Sequence, residues 1–303
     1  MAKVEELHRQ FGKPGVLRVE RGLGGLARIC VTGDAASAEI YPHGAHITQF
    51  QPRGAAPVLF MSKASLFEPS KPIRGGVPLV FPWFGARAGY PEAPPHGFAR
   101  IREWNIESAD PRSDGSVRVV LTTASDAATL ALWPFAFTLR LIVIIGNVLD
   151  ITLEVRNQSQ AEMIFEEALH TYLKVSDIHN VTVEGLDNAQ YIDRTAAGQR
   201  STQSAEPIAF TGETDRAYLH TTSPCVVHDA GLSRFLRIEK EGSDTTVVWN
   251  PWIAKAKAMP DFGDDEWPQM LCVEAANALE CAVKLAPGHT HRMCTRISVS
   301  VKA

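Results

Sequence analysis

The chain has 303 residues, 45% hydrophobic and 21% charged, enough to bury a large core as one big β domain or two ordinary ones. A net charge of −4 and a pI near 6.2 give no global attraction to nucleic acid or an anionic membrane, so an anionic ligand must be held by locally placed arginines. The five cysteines, Cys30, Cys225, Cys272, Cys281 and Cys294, are odd in number without a C-x-x-C pair, which fits neither a full disulfide framework nor a zinc ribbon.

The opening Met1-Ala2-Lys3-Val4-Glu5-Glu6 carries acids where a signal peptide needs a basic and then an apolar stretch. With no apolar run long enough to span a bilayer, the cytoplasm is the default compartment and the thiols are expected to be reduced. A helical turn is expected at Val4–Phe11, followed by strands at Val16–Glu20, Ala27–Val31 and Ala38–Tyr41. Gly22-x-Gly24-Gly25 lacks a following helix and reads as a turn, and His43-x-x-His46 sits in turn-like sequence without a third metal ligand.

Lys71 to Arg100 is loop-like and unusually rich in Gly, Pro, aromatic residues and Arg. Prolines restrict such a loop and glycines allow close approach, so it can present Arg74 and Arg100 from fixed positions to a phosphate or carboxylate. The aromatics Phe81, Trp83, Trp249, Trp252 and Trp267 are either core or platforms for the apolar face of a sugar.

Further along, Val117–Thr122 reads as a strand and Ala127–Leu132 as a helical segment. Phe137–Ile145, Gly146-Asn147 and the alternating Leu149–Arg156 predict a β-hairpin. Met163–Val175 reads as one strand, Thr195–Ala205 as a polar loop. Strands are also expected at Cys225–His228, Phe235–Glu239, Thr245–Trp249, Met270–Ala275, Cys281–Leu285 and Met293–Val299; His289-x-His291 lies beside Pro and Gly in another turn. Many short strands without alternating long helices predict a single all-β antiparallel sandwich domain over residues 1–303, with a monomer as the default state.

Two ionisable residues stand inside apolar strand-like runs: His170 in Glu166–Tyr172 and Glu274 in Cys272–Asn277. Strand alternation puts Ala168, His170 and Tyr172 on one face, and Cys272, Glu274 and Ala276 on one face, leaving room for a ligand between small neighbours. If the two faces meet, the pair can act as acid and base. A reference pKa of about 6.5 for His170, pushed up by a neighbouring carboxylate, and of about 4.3 for Glu274 predict an imidazolium beside a carboxylate near neutral pH.

The blocks Arg74-Gly75-Gly76-Val77-Pro78, Phe81-Pro82-Trp83-Phe84-Gly85, His96-Gly97-Phe98-Ala99-Arg100, Glu167–Tyr172, Thr211–Arg216, Val248–Trp252 and Val273-Glu274 together resemble the hexose-6-phosphate mutarotases, the glucose-6-phosphate 1-epimerases of the aldose 1-epimerase superfamily. The resemblance spans Val16 to Val299. It implies a galactose-mutarotase-like supersandwich, a cytoplasmic isomerase with no cofactor or metal, and a substrate phosphorylated at C6. It further implies His170 as general acid, Glu274 as general base, Arg74 and Arg100 as ligands of the substrate and its phosphate, His96 on the same loop, and Asp215 as acceptor for sugar hydroxyls. Where some relatives carry Gln this chain has Trp83, which implies stacking or pocket shaping, a part Trp249 is also placed to play. Three alternatives stay open on the residues: a mutarotase of unphosphorylated hexoses, a catalytically silent sugar-phosphate-binding protein, and glycoside hydrolysis by a carboxylate pair drawn from Glu166 or Glu167.

Overall fold

The computed structural model describes residues 2–301; Met1 of the N-terminal segment and Lys302 and Ala303 of the expected 1–303 domain lie outside the described residues. The described residues form antiparallel sheets of four, eight and nine strands and a two-stranded ribbon. None of their helices is long and apolar enough to cross a membrane.

The hairpin expected at Gly146-Asn147 is present, pairing Phe137–Ile145 with Val148–Asn157 in the middle of the nine-stranded sheet. Leu139, Leu141 and Val143 alternate inward from it and join Leu149, Ile151 and Leu153 in a large core. The same core receives Ile29, Ile40 and Ile47 from the N-terminal four-stranded sheet, and Leu169, Val248, Val273 and Ala275 from the eight-stranded sheet. Burial of apolar surface at roughly 25 cal/mol per Å² makes this shared interior the main stabilising element.

The eight-stranded sheet runs in the order Gln199–Thr202, Gln190–Asp193, Thr214–Leu219, Thr245–Asn250, Met270–Asn277, Glu167–Leu169, Leu79–Val80, with Tyr172–Lys174 also paired to Met270–Asn277. Every residue of Met270–Asn277 is buried. Leu271, Val273 and Ala275 face the large core, and the alternate Cys272 and Ala276 join Ala168, Tyr172, Val247 and Trp249 in a smaller cluster on the sheet's other side.

Four expectations need correction. Met163–Val175 is not one strand: Met163–Phe165 pairs with Val283–Leu285, whereas Glu167–Leu169 and Tyr172–Lys174 pair with Met270–Asn277. The changeover is fixed at Glu166, whose N–H donates to the Pro82 carbonyl and whose carboxylate accepts from the N–H groups of Phe84 and Leu279. The polar stretch Thr195–Ala205 contains a strand, Gln199–Thr202, that folds back on Gln190–Asp193. Trp252–Ala258 forms an unexpected helix after Pro251, and Cys281–Leu285 begins as a 3₁₀ turn rather than a strand.

Candidate active site

Leu169 pairs with Ala275 and Tyr172 with Cys272, the same register on either side of a break at His170 and Thr171, which brings His170 opposite Glu274. The next row carries Tyr172, Cys272, Trp249 and Asp215 across four adjacent strands on the same face. Strand pairing alone therefore gathers four of the sequence-derived residues, His170, Glu274, Trp249 and Asp215, onto one surface facing away from the main core.

His170 Nδ1 lies 3.2 Å from Glu274 Oε1, with the residues 7% and 1% exposed. The two atoms are close but poorly aligned, and His170 Nδ1 and both Glu274 carboxylate oxygens are buried without a hydrogen-bond partner. An unsatisfied buried polar group costs about 1–3 kcal/mol, so three together are a cost that a polar partner at this point would offset. The imidazole is held by a stack on Tyr172, with centroids 4.8 Å apart at 11°, and an edge contact with Trp249 at 5.9 Å.

Burial, then the charges of Arg100 and Arg74, hold His170 well below the ordinary histidine value. Burial, then the Asp215 carboxylate, lifts Glu274 well above the ordinary value for its type, against the pull of Arg194 and Arg100. The expected imidazolium and carboxylate pair is thereby corrected: low dielectric disfavours the charged form of both groups. Sequence showed that the two groups were flanked by apolar residues, but not how completely water was excluded.

The Lys71–Arg100 loop lies beside this face. Gly76, at φ +60°, lies so close to the Ile47 carbonyl that a Cβ would sit 2.1 Å from its oxygen. His43 Nε2 contacts the Lys71 carbonyl at 2.7 Å, and His46 Nε2 the Gly75 carbonyl at 2.8 Å. The H-x-x-H pair thus ties down the loop that carries Arg74. Arg74 donates to Asp261 Oδ2 at 3.0 and 3.2 Å and to the Tyr172 hydroxyl at 3.0 Å. Although burial opposes its charge, Tyr172 and Asp261 raise Arg74 above the ordinary arginine value.

Arg100 is 6% exposed, donates from Nη2 to the Pro95 carbonyl at 2.7 Å, and leaves its Nε without a partner. Burial, then the like charge of Arg74, pushes it down to about 10, so it remains a cation at neutral pH. His96, at φ +62°, accepts from the Gly85 N–H at Nδ1 and places its ring 5.7 Å from that of His170. Burial and then Arg100 keep His96 well below its ordinary value, so it is a neutral imidazole.

Asp215 is lifted by burial, and Arg194 Nε stands 3.9 Å from its Oδ2. Trp83 is not part of the site face: it packs in the large core, donates its indole N–H to the Pro94 carbonyl at 2.9 Å and carries the Arg87 guanidinium over its ring. Sequence reasoning missed Arg194, Asp261 and Phe84. Arg194 follows the Gln190–Asp193 strand and lies over Phe84, in space that Gly85 leaves by lacking a side chain. Its charge reaches His96, His170 and Glu274, yet no strand alternation or motif spacing distinguished it from a surface arginine.

The profile of the family described as aldose 1-epimerase matches residues 28–298. A protein of Cenchrus ciliaris named "putative glucose-6-phosphate 1-epimerase" is 37% identical over 279 residues, 88% of this chain and 83% of that protein. The crystal structure of a "putative mutarotase" from Salmonella typhimurium superposes with a TM-score of 0.89, at 31% identity over 96% of both chains. That of a galactose mutarotase related enzyme from Lactobacillus acidophilus gives 0.74 at 13% identity over 91% of this chain and 98% of that one, a likeness of fold alone. The all-β antiparallel supersandwich is therefore galactose-mutarotase-like, and this chain belongs to the aldose 1-epimerase family of isomerases.

Proposed function

We propose that this chain interconverts the α and β anomers of hexose 6-phosphates, glucose 6-phosphate foremost, by acid/base ring opening and reclosure. The observation that carries the reading is the buried His170–Glu274 pair, 3.2 Å apart with unsatisfied polar atoms. The buried Arg100 cation beside it supplies the preference for a phosphorylated sugar. Names carried by the relatives point the same way.

Anomer exchange needs one proton taken from the C1 hydroxyl and one given to the ring oxygen. The ring then opens to an aldehyde, the C1–C2 bond rotates, and reclosure inverts C1. A pair holding a single proton suits this cycle, because one member is vacant as the other is loaded, and the pair ends each turnover as it began. Hydroxyl groups of a bound sugar donating to Glu274 favour its carboxylate, and a phosphate beside Arg100 and Arg74 relieves the field that depresses His170. Both effects move the shared proton onto the imidazole, giving Glu274 the part of base and His170 that of acid. Asp215 and Trp249, one row along the sheet, receive the sugar's remaining hydroxyls and its apolar face. Only proton transfers are involved, so the chemistry calls for neither redox cofactor nor metal. Five free cysteines fit a reducing compartment, the cytoplasm.

The test is exchange between the anomeric protons of glucose 6-phosphate, followed by NMR. His170→Ala and Glu274→Gln are each expected to lower the catalysed rate by roughly 10²- to 10⁴-fold with the fold retained by circular dichroism. Wild-type rates in both variants would remove the assignment.

A further inference from the structure

Cys272 stands two residues before Glu274 on the same strand face and directly across from Tyr172 on the neighbouring strand. A metal-ligating atom of each of His170, Cys272 and Glu274 lies within 4.8 Å of the other two, and all three residues are buried. Around a tetrahedral zinc ion, with bonds of roughly 2.0–2.3 Å, neighbouring ligand atoms stand about 3.3–3.8 Å apart. The His170 and Glu274 atoms already meet at 3.2 Å, so small side-chain rotations of Cys272 close the remaining gap. Independently of the thiol, His170 Nδ1 and both Glu274 oxygens are buried without hydrogen-bond partners, so a metal there displaces no hydrogen bond.

We infer that His170, Cys272 and Glu274 form an inhibitory site for a thiophilic divalent cation, Zn²⁺ above all, that occupies the same atoms as the sugar's anomeric centre. One nitrogen, one sulfur and one oxygen ligand leave a fourth position open, and the thiol selects Zn²⁺ over Mg²⁺ or Ca²⁺, which prefer oxygen ligands. Burial and the adjacent Glu274 keep the free thiol protonated; on coordination the sulfur lone pair goes to the metal, and the thiol proton together with the proton shared by His170 and Glu274 goes to bulk water. No electron is transferred. Removing the thiol takes away one of the three ligands and leaves His170 and Glu274 in place.

The inhibition rests on the mutarotase reading, whereas binding does not, and the two are measured separately. Zinc titrated calorimetrically into the full-length wild-type protein is expected to bind at one saturable buried site, and cobalt to give a near-ultraviolet thiolate-to-metal absorption. Cys272→Ser and Cys272→Ala are expected to lose that absorption and to weaken zinc binding by roughly tenfold or more. In the wild type, zinc raises KM for glucose 6-phosphate without lowering kcat, a chelator reverses the effect, and magnesium at equal concentration has none. Absence of saturable zinc binding in the wild type, or equal affinity in both Cys272 variants, overturns the site. Wild-type protein that binds zinc but does not accelerate anomer exchange overturns the mutarotase reading and leaves the metal site standing.

Discussion

Arg100 has no carboxylate within ion-pair distance among the described residues, and only the Pro95 carbonyl among its partners is a strong acceptor. Such a buried, unpaired cation costs stability, and an anion paired with it offsets that cost. Arg100→Met keeps the bulk and removes the charge. It is expected to raise KM for glucose 6-phosphate by roughly 10- to 150-fold, the equivalent of about 1.5–3 kcal/mol for a charge-assisted contact, with KM for glucose unchanged and thermal stability equal or higher. Parallel kinetics on the two sugars and a melting curve check it; an equal loss on both would detach Arg100 from the phosphate. His46 gives a prediction in pH. Burial, opposed by its contact to Gly75 and aided by the charges of His43, Arg100 and Arg74, leaves it at about 3 in the folded state against about 6.5 in a free chain. The unfolded chain thus binds the extra proton first as pH falls, and His46 stability, complete above about 6.5, is lost at about 1.4 kcal/mol per pH unit down to about 3. His46→Gln, which retains a donor for Gly75, is expected to flatten denaturant-measured stability over that interval by one proton. His170 and Glu274 were legible in the sequence because an ionisable group amid apolar strand residues is conspicuous. Their protonation was not, since it depends on depth and on Arg74 and Arg100, which are distant in the chain. Arg194 was not either: it looks like any arginine after a strand.

The Lys71–Arg100 loop is fixed by backbone approaches that admit no side chain, to the Ile47 strand at Gly76 and within the loop itself at Gly97. Gly97, at φ +74°, is the tightest of them: a Cβ there would sit 1.9 Å from the Phe81 carbonyl oxygen, next to the cis Phe81-Pro82 bond and between His96 and Arg100. Gly97→Ala is expected to destabilise by more than about 1–2 kcal/mol, the penalty of the left-handed backbone alone, and to raise KM by moving its neighbours. Gly115→Ala is the control, since its φ is +80° but nothing lies within 4 Å of its Cβ position. Comparable thermal shifts in the two would show that the close approach adds nothing. The loop's special character was visible in its Gly, Pro and Arg content, and the central hairpin in its strict alternation. Less visible were strands whose pattern is set by neighbours rather than by period. Thr214–Leu219, which bears Asp215, has mixed burial, and Gln199–Thr202 is almost wholly polar because it closes the exposed edge of its sheet.

Across the whole molecule, one apolar interior receives side chains from the four-, eight- and nine-stranded sheets. We therefore expect the chain to unfold as one cooperative unit, with far-ultraviolet circular dichroism and tryptophan fluorescence giving coincident denaturant transitions. Two separated transitions would divide the single domain that the sequence suggested. All-β class and antiparallel pairing were readable from many short strands; which strands share a sheet was not, because partners such as Glu167–Leu169 and Met270–Asn277 are brought together from far apart in the chain. The eight-stranded sheet stands as a partition, with fat-like packing behind it and polar chemistry in front. Over evolutionary time, Leu169, Val248, Val273 and Ala275 can trade volume with one another at the rear, drifting as far as close packing permits, without rewriting what is presented at the front. Descendants of such a scaffold are free to change the sugar they accept and their thermal tolerance by separate routes.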